Sequence, residues 1–450
     1  MIVMKFGGSS VESATAIDRV ASIVRARFER HPVVVVSAMG KTTNRLLAIA
    51  QSAVSGDRDG ALKQLENLKR YTVDEGGSVG GKVEEHFQEL EELVLGLSVL
   101  GELTPRSIDA ISSYGERLSS LIVSEAFRAK GIDAIHQDSR DYVITDDRHT
   151  HASPIYPETY ARLSTRLAPL ARENVVVMGG FIGSTMKGVT STLGRGGSDF
   201  SASLIGAGIG AEEIQIWTDV DGMLTCDPRI LAGGHRVKTM SFAEAAELAY
   251  FGAKVLHPST VLPAVEKNIP VLILNSARPE VDGTSIVAES VPCRNLFKAI
   301  ACKQDITSVH IRSTRMLMAH GFLRRIFEVF DRFETPVDMI ATSEISVSLT
   351  IDNPCHLDNI SAELAHFSEV SVEQNQAIIS MVGDNIGTTS GIAGRVFQAL
   401  NGTNIRMISQ GASNLNLSFV VAGPDLQKAV AALHGEFFSD LDPAVFERKA

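Results

Sequence analysis

Residues 33–45 read VVVVSAMGKTTNR, an apolar β-branched run that breaks into a turn carrying Gly-Lys-Thr. A phosphate-cradling Walker loop needs a second glycine five positions ahead of Gly40, so that consecutive backbone N–H groups curl around the anion, and Val35 stands there. The stretch is therefore a buried strand ending in Ser37, Ala38, Met39 and Gly40, with Thr42, Thr43 and Asn44 completing a polar cup. Similar runs begin at Ile2, Val175, Ile214 and Val271, between segments of helical spacing such as those from Ala14 to Arg27 and from Leu118 to Ala129. Continuous apolar strands of this kind suit a mostly parallel sheet covered by helices on both faces, an α/β fold that places ligands at the carboxyl ends of its strands. Pocket-forming turns are expected after Phe6, Val36, Met178 and Trp217.

The chain has 450 residues, enough for two or three domains. Its net charge is −11, with no block of Lys and Arg able to track a nucleic-acid backbone, so no nucleic-acid partner is expected. An anionic substrate would have to be drawn in by a few local cations in glycine-rich turns. Four scattered cysteines without a Cys-x-x-Cys pair predict a reduced cytoplasmic protein, and no residue is assigned as a metal ligand. The start lacks a signal core and no apolar run approaches a bilayer-spanning length, so no membrane association is expected.

The glycine-rich turns stop near residues 289–298, which places a boundary at about 290 and leaves 291–450 as a second region. There "GFLRRIFEVF" from Gly321 and "GIAGRVFQAL" from Gly391 share Gly, Arg and Phe at matching positions. "VDMI" from Val337 likewise answers "IRMI" from Ile405. Each copy runs on into strict alternation, Ile345, Val347, Leu349 and Ile351 in one and Leu415, Leu417, Phe419 and Val421 in the other, so each reads as helix, strand, strand with one buried face. Two such units packed side by side form either a small-ligand sensor or a dimerisation platform.

Several turns carry chemistry. "KFGGSS", from Lys5, joins a cation to two glycines between strand and helix, which serves a phosphate or a plain structural turn. "TLGRGGSDFSA", from Thr192, holds Arg195 among glycines ahead of Ser198 and Asp199; its planar guanidinium suits a carboxylate, and the alternative is a helix cap beside a solvated Arg. "GAGIGA", from Gly206, follows a helix and precedes a strand, the reverse of a dinucleotide fingerprint. "TDVDGMLTCDPR", from Thr218, fails as a calcium loop because Gly222 comes two positions early and Ile230 replaces the last acidic ligand, but it offers Thr218, Asp219 and Arg229 to a nucleotide or forms an Asx turn. Lys254 in "FGAKVLHP" and Glu116 in "SYGERLS" complete the set, although a Glu at a helix head is ordinarily solvated, and His149, His151 and His257 read as structural.

In order and spacing, "KFGGSSV", "SAMGKTTNRL", "SYGERLS", "GGFIGSTMKGVTSTLGRGGSDFSA", "WTDVDGMLTCDPR" and "FGAKVLHPST" resemble the aspartate kinases of the amino acid kinase superfamily, and the repeats are similar to their paired ACT modules. The resemblance implies an amino acid kinase fold over 1–290 and two ferredoxin-like ACT domains over 291–450, the first at about 305–373 plus a C-terminal segment and the second, at about 374–437, inserted in it. It further implies transfer of the γ-phosphoryl group of MgATP to the side-chain carboxylate of L-aspartate, the entry to lysine, threonine and methionine. Lys5 and Asp199 would be catalytic. Arg195 would hold the α-carboxylate and Glu116 the α-ammonium, with Ser37, Thr43, Phe181, Gly196, Gly197 and Ser198 shaping the cup. Gly7, Gly8 and Ser9 would join Lys5 at the phosphates, while Thr218, Asp219, Leu224, Arg229, Lys254 and Val255 would bind the nucleotide, Leu224 standing where an aromatic is usual. Lysine, as effector, would meet Met316, Ala319, Phe322, Leu323, Val337, Asp338, Ser343 and Glu344, with Ala319 standing where a serine is usual. A monofunctional enzyme, dimeric or tetrameric through the ACT domains, is expected; the competing readings are acetylglutamate kinase and a catalytically silent amino-acid sensor.

Overall fold

The computed structural model describes residues 1–252, 258–289, 291–313 and 320–448, which form two compact units. The first unit comprises Met1–Met223 and Val255–Glu289. Within this unit its sheet runs in the order Thr284–Val287, Val271–Asn275, Glu213–Thr218, Ile2–Phe6, Pro32–Val36, Val175–Gly179 and Ala134–Gln137, all parallel except Thr284–Val287. Every residue of Ile2–Phe6, Pro32–Val36 and Val175–Gly179 is buried, as strands covered on both faces require. Ile2–Phe6 pairs with Pro32–Val36 on one side and Glu213–Thr218 on the other, so the chain leaves in opposite directions from the middle of the sheet, and the turns after Phe6, Val36, Gly179 and Thr218 open at one end.

Helices close the faces. Ser13 caps the helix Ala14–Arg25 by accepting from the N–H of Ala16, and its buried stripe of Ile17, Val20, Ala21 and Val24 keeps the helical spacing. The helix Tyr114–Ala129 begins one turn earlier than its amphipathic spacing suggests, which brings Glu116 inside it. The segment "GAGIGA" forms the last turn and end of the helix Gly197–Ile209, rather than following it, and precedes the strand Glu213–Thr218.

The second unit comprises Leu224–Lys254 and Ser290–Ala450. Its sheet is antiparallel, in the order Ile340–Thr342, Ser346–Ile351, Ala299–Arg312, Glu369–Val382, Asn416–Ala422 and Ile405–Gln410. The repeated motifs become the helices Phe322–Arg332 and Ile392–Ala399, each preceded by a glycine at φ 79°. The alternating positions Val347, Leu349, Ile351, Leu417, Phe419 and Val421 are all buried. Both central strands are shared: the second half of Ala299–Arg312 serves the first module, and its first half, paired to Ile378–Val382, serves the second. The C-terminal segment, expected beside the first module, instead pairs Phe446–Glu447 with Arg236–Val237. That ladder, the Thr225–His434 hydrogen bond (2.9 Å) and the fully buried Lys298–Glu244 ion pair (2.8 Å) tie residues 224–254 into this unit, outside the first unit despite their place before residue 290.

Candidate active site and effector site

Four turns of the first unit surround a cleft of about 340 Å³ lined by Lys5, Gly8, Ser37, Ala38, Gly40, Thr43, Glu116, Phe181, Gly194, Gly196, Gly197, Ser198 and Asp199. The first two turns interlock. Gly40 N–H donates to the carbonyl of Gly8 (3.0 Å), and a Cβ on Gly8 would lie 2.7 Å from the carbonyl oxygen of Ala38, so only glycine fits. The N–H of Gly7 is taken by the carbonyl of Trp217, whereas those of Gly8 and Ser9 meet no acceptor among the described residues. Phe181 holds φ 65°, a strained value for an aromatic residue, with its N–H on Ser201 Oγ (2.9 Å) and its carbonyl on the N–H of Leu193 (2.9 Å).

Two charged groups dominate. Lys5 is fixed in the central strand, 9% exposed, with Nζ 2.7 Å from Asp199 Oδ1. An ammonium with three donors and one carboxylate contact keeps N–H groups for a further anion. Glu116 is buried rather than solvated: Oε1 accepts from the N–H of Ala38 (3.1 Å), and Oε2 has no partner among the described residues. Burial pushes this carboxyl up to about 8, against the lowering pull of the Ala38 N–H and Lys5.

The remaining expected residues fall in different places. Gly7, Ser9 and Arg195 adjoin the cleft in sequence without lining it; Arg195 is exposed and makes no hydrogen bond or ion pair to a described residue. Thr218 Oγ1 donates to Asp219 Oδ1 (3.1 Å), and the carbonyl of Thr218 accepts from the N–H of Ser276, whose hydroxyl also meets Ser10 (2.8 Å). Leu224 and Arg229 belong to the second unit, where Arg229 pairs with Asp227 (2.6 Å) in an Asx turn. Lys254 and Val255 lie outside the described residues. Sequence reading missed Ala38 and Ser276: the first works through its backbone N–H, which no side chain reveals, and the second through a long-range contact.

In the second unit, Phe322 and Val337 pack in the core of the first module, Leu323 is exposed, and Ser343 and Glu344 occupy an exposed turn closed by Ser343 and Ser346 (2.7 Å). Met316 and Ala319 lie outside the described residues. The Asp338 side chain is only 7% exposed; Oδ1 takes Lys303 Nζ at 2.6 Å, and Oδ2 has no hydrogen-bond partner among the described residues. Lys303 also meets Asp352 (2.5 Å) and lies over the Tyr250 ring. Burial, with a contribution from Asp352, pushes Asp338 up to about 6 even though Lys303 opposes it; burial would lower Lys303, but its two carboxylate contacts outweigh that and raise it.

The amino acid kinase family profile matches residues 1–275, and an ACT domain profile matches residues 379–437. The chain is 40% identical to aspartokinase 2, chloroplastic, of Arabidopsis thaliana, over 98% of this chain and 85% of that one, and 37% identical to lysine-sensitive aspartokinase 3 of Escherichia coli, over 97% and 99%. The chain belongs to the aspartokinase family. Its fold agrees with solved aspartokinase structures: E. coli aspartokinase III in complex with lysine and aspartate (T-state) matches at a TM-score of 0.85, with 34% identity over 98% of this chain and 100% of that one. The same enzyme in complex with aspartate and ADP (R-state) matches at 0.82, with 35% identity and the same coverage. As an aspartokinase the chain is an enzyme that phosphorylates L-aspartate, built from an amino acid kinase fold and ACT modules. Among the described residues no helix is long and apolar enough to cross a membrane.

Proposed function

We propose that the cleft holds L-aspartate with its side-chain carboxylate facing the γ-phosphorus of ATP, giving 4-phospho-L-aspartate and ADP. The carrying observation is Glu116, a buried carboxyl whose Oε2 has no partner among the described residues, in a cleft where Lys5 already serves Asp199. Such a group calls for a cation that arrives with the substrate, and an α-ammonium supplies it. Arg195, without a partner among the described residues, takes the α-carboxylate; Ser37, Thr43, Phe181, Gly196, Gly197 and Ser198 bound the side chain.

A carboxylate nucleophile is ionised at neutral pH and needs no general base, so the chain must align the reactants and offset the repulsion between two anions. Lys5 does this for the transferred phosphoryl group and Asp199 holds Lys5 in place. The N–H groups of Gly8 and Ser9 face the phosphates beside Gly7, and Thr218 and Asp219 of the first unit contact the nucleotide. Mg²⁺ would come in on the phosphates of the nucleotide, with Asp199 able to bind a water of its shell. Bound there, the ion would neutralise phosphate charge.

Feedback by lysine follows from the second unit. Asp338 and Asp352 share one ammonium, that of Lys303, which leaves a net negative charge and an open Oδ2 for a second ammonium. Inhibition is then a population shift toward the form that binds the effector better. Assembly as a homodimer or homotetramer would cover the exposed Leu323, Phe327, Ile340 and Ile408 of this unit. Four unpaired cysteines suit a reducing cytoplasm. Incubation with aspartate, ATP and hydroxylamine should yield aspartyl hydroxamate, and added lysine should suppress it; no hydroxamate, or product only with N-acetylglutamate, would overturn the reading.

A further inference from the structure

Asp109 is fully buried on the helix Pro105–Ser112, far in sequence from the Arg195 turn, and takes no part in the chemistry above. A buried carboxylate is costly unless its oxygens are satisfied. Here they are: Oδ1 accepts from Thr192 Oγ1 (2.5 Å) and the N–H of Thr150 (3.0 Å), and Oδ2 accepts from His149 Nδ1 (2.7 Å) and the same N–H (3.1 Å). The residues it grips lie directly behind the Arg195 turn. Thr150 holds φ 71°, a strained left-handed value for a β-branched residue. Its carbonyl oxygen lies 3.1 Å from where a Cβ on Gly194 would stand, as does a ring carbon of His151, and Gly194 itself holds φ 76°. Thr192 is the last residue of the strand Thr190–Thr192, two positions before Gly194, and its carbonyl accepts from the N–H of Ala152 (2.9 Å).

We propose that Asp109 is a positioning residue for substrate binding: by clamping Thr150 and Thr192 it fixes the Gly194–Gly197 turn and thereby the direction of Arg195. The proposal rests on the reading of Arg195 as the α-carboxylate clamp. Arg195 has no described partner of its own, so its aim comes from the backbone alone, and a displacement of an ångström in such a group is enough to cost about a hundredfold in rate.

Steady-state kinetics on the full chain test it. Asp109→Asn should raise the aspartate KM roughly ten- to hundredfold and leave the ATP KM within about twofold. Adding Thr150→Gly, which reaches the left-handed conformation without an anchor, should recover much of the loss. If Asp109→Asn does not fold, Thr192→Val, which removes one donor at nearly constant volume, decides instead through a severalfold rise confined to aspartate. Equal changes in both KM values, or a lower melting temperature with the aspartate KM unmoved, would overturn the proposal. Arg195→Ala separates the layers: if it too leaves the aspartate KM unmoved, the clamp reading falls and this proposal with it, whereas if it raises that KM and Asp109→Asn does not, only the proposal falls.

Discussion

Glu116 and Asp338 are the same kind of group in two different units. Each is a buried carboxyl with one oxygen unpartnered, and each is pushed above its ordinary range by burial, to about 8 and about 6. They differ in their neighbours. Glu116 has a backbone N–H and a lysine already committed to Asp199, whereas Asp338 has Lys303 directly on Oδ1. On the proposed reading, Glu116 is held near neutrality until a substrate ammonium ionises it, while Asp338 is kept ionised by an internal ammonium that it shares with Asp352. That reading has the cleft bind its cation by releasing a proton, and the second unit add its cation to a charge already present.

The largest expected effect separates the two lysines. Lys5→Met should cost about 3 kcal/mol or more of transition-state stabilisation, read as a fall in kcat with the aspartate KM comparatively intact; near-normal turnover would remove Lys5 from the chemistry. Next, Glu116→Gln should raise the aspartate KM on the order of a hundredfold, about 3 kcal/mol, with little change for ATP. Asp338→Asn should instead weaken inhibition by lysine about tenfold, roughly 1.4 kcal/mol, and an unchanged inhibition constant would dissociate Asp338 from the effector.

The pH windows sharpen the contrast. An ammonium substrate prefers ionised Glu116, which is protonated below about 8, so kcat/KM for aspartate should climb with pH toward 8, by at most about tenfold per unit, and binding should release a proton. Inhibition by lysine should weaken as pH falls through about 6, where Asp338 takes up its proton. A shared window for both would break the comparison. The last effect is on stability. Because the folded chain holds the Glu116 proton above the pH at which the unfolded chain loses it, Glu116 costs stability as pH rises from about 4.5 to about 8. Glu116→Gln should accordingly gain on the parent chain across that interval, by at most about 1.4 kcal/mol per pH unit, in urea titrations at several pH values.

Much of the cleft's lining was legible in advance. Lys5, Gly8, Ser37, Thr43, Glu116, Phe181, Gly196, Gly197, Ser198 and Asp199 were expected together and line one cavity. Their motifs could be read because each turn follows a continuous apolar strand, and a parallel sheet carries such strand ends to one side. Glu116 was legible as a site residue only through family resemblance; by helix position alone it reads as solvated, and its burial depends on Gly179, where a Cβ would stand 3.0 Å from that of Glu116. Lys303 and Asp109 gave no signal. A lysine in an alternating strand and an aspartate in a short helix look like surface residues until the chain brings Asp338 or Thr192 against them.

The sequence by itself determined the strands, the repeat and the order of the turns, because apolar periodicity and glycine act over a few residues and are written locally. The tertiary structure alone decided which charges lose water and which find partners, since burial and pairing depend on groups tens or hundreds of residues apart. That is why Lys5 could be read as a cation from its motif, but the unpartnered oxygen of Glu116, the internal ammonium on Asp338 and the grip of Asp109 could be seen only once the chain was folded.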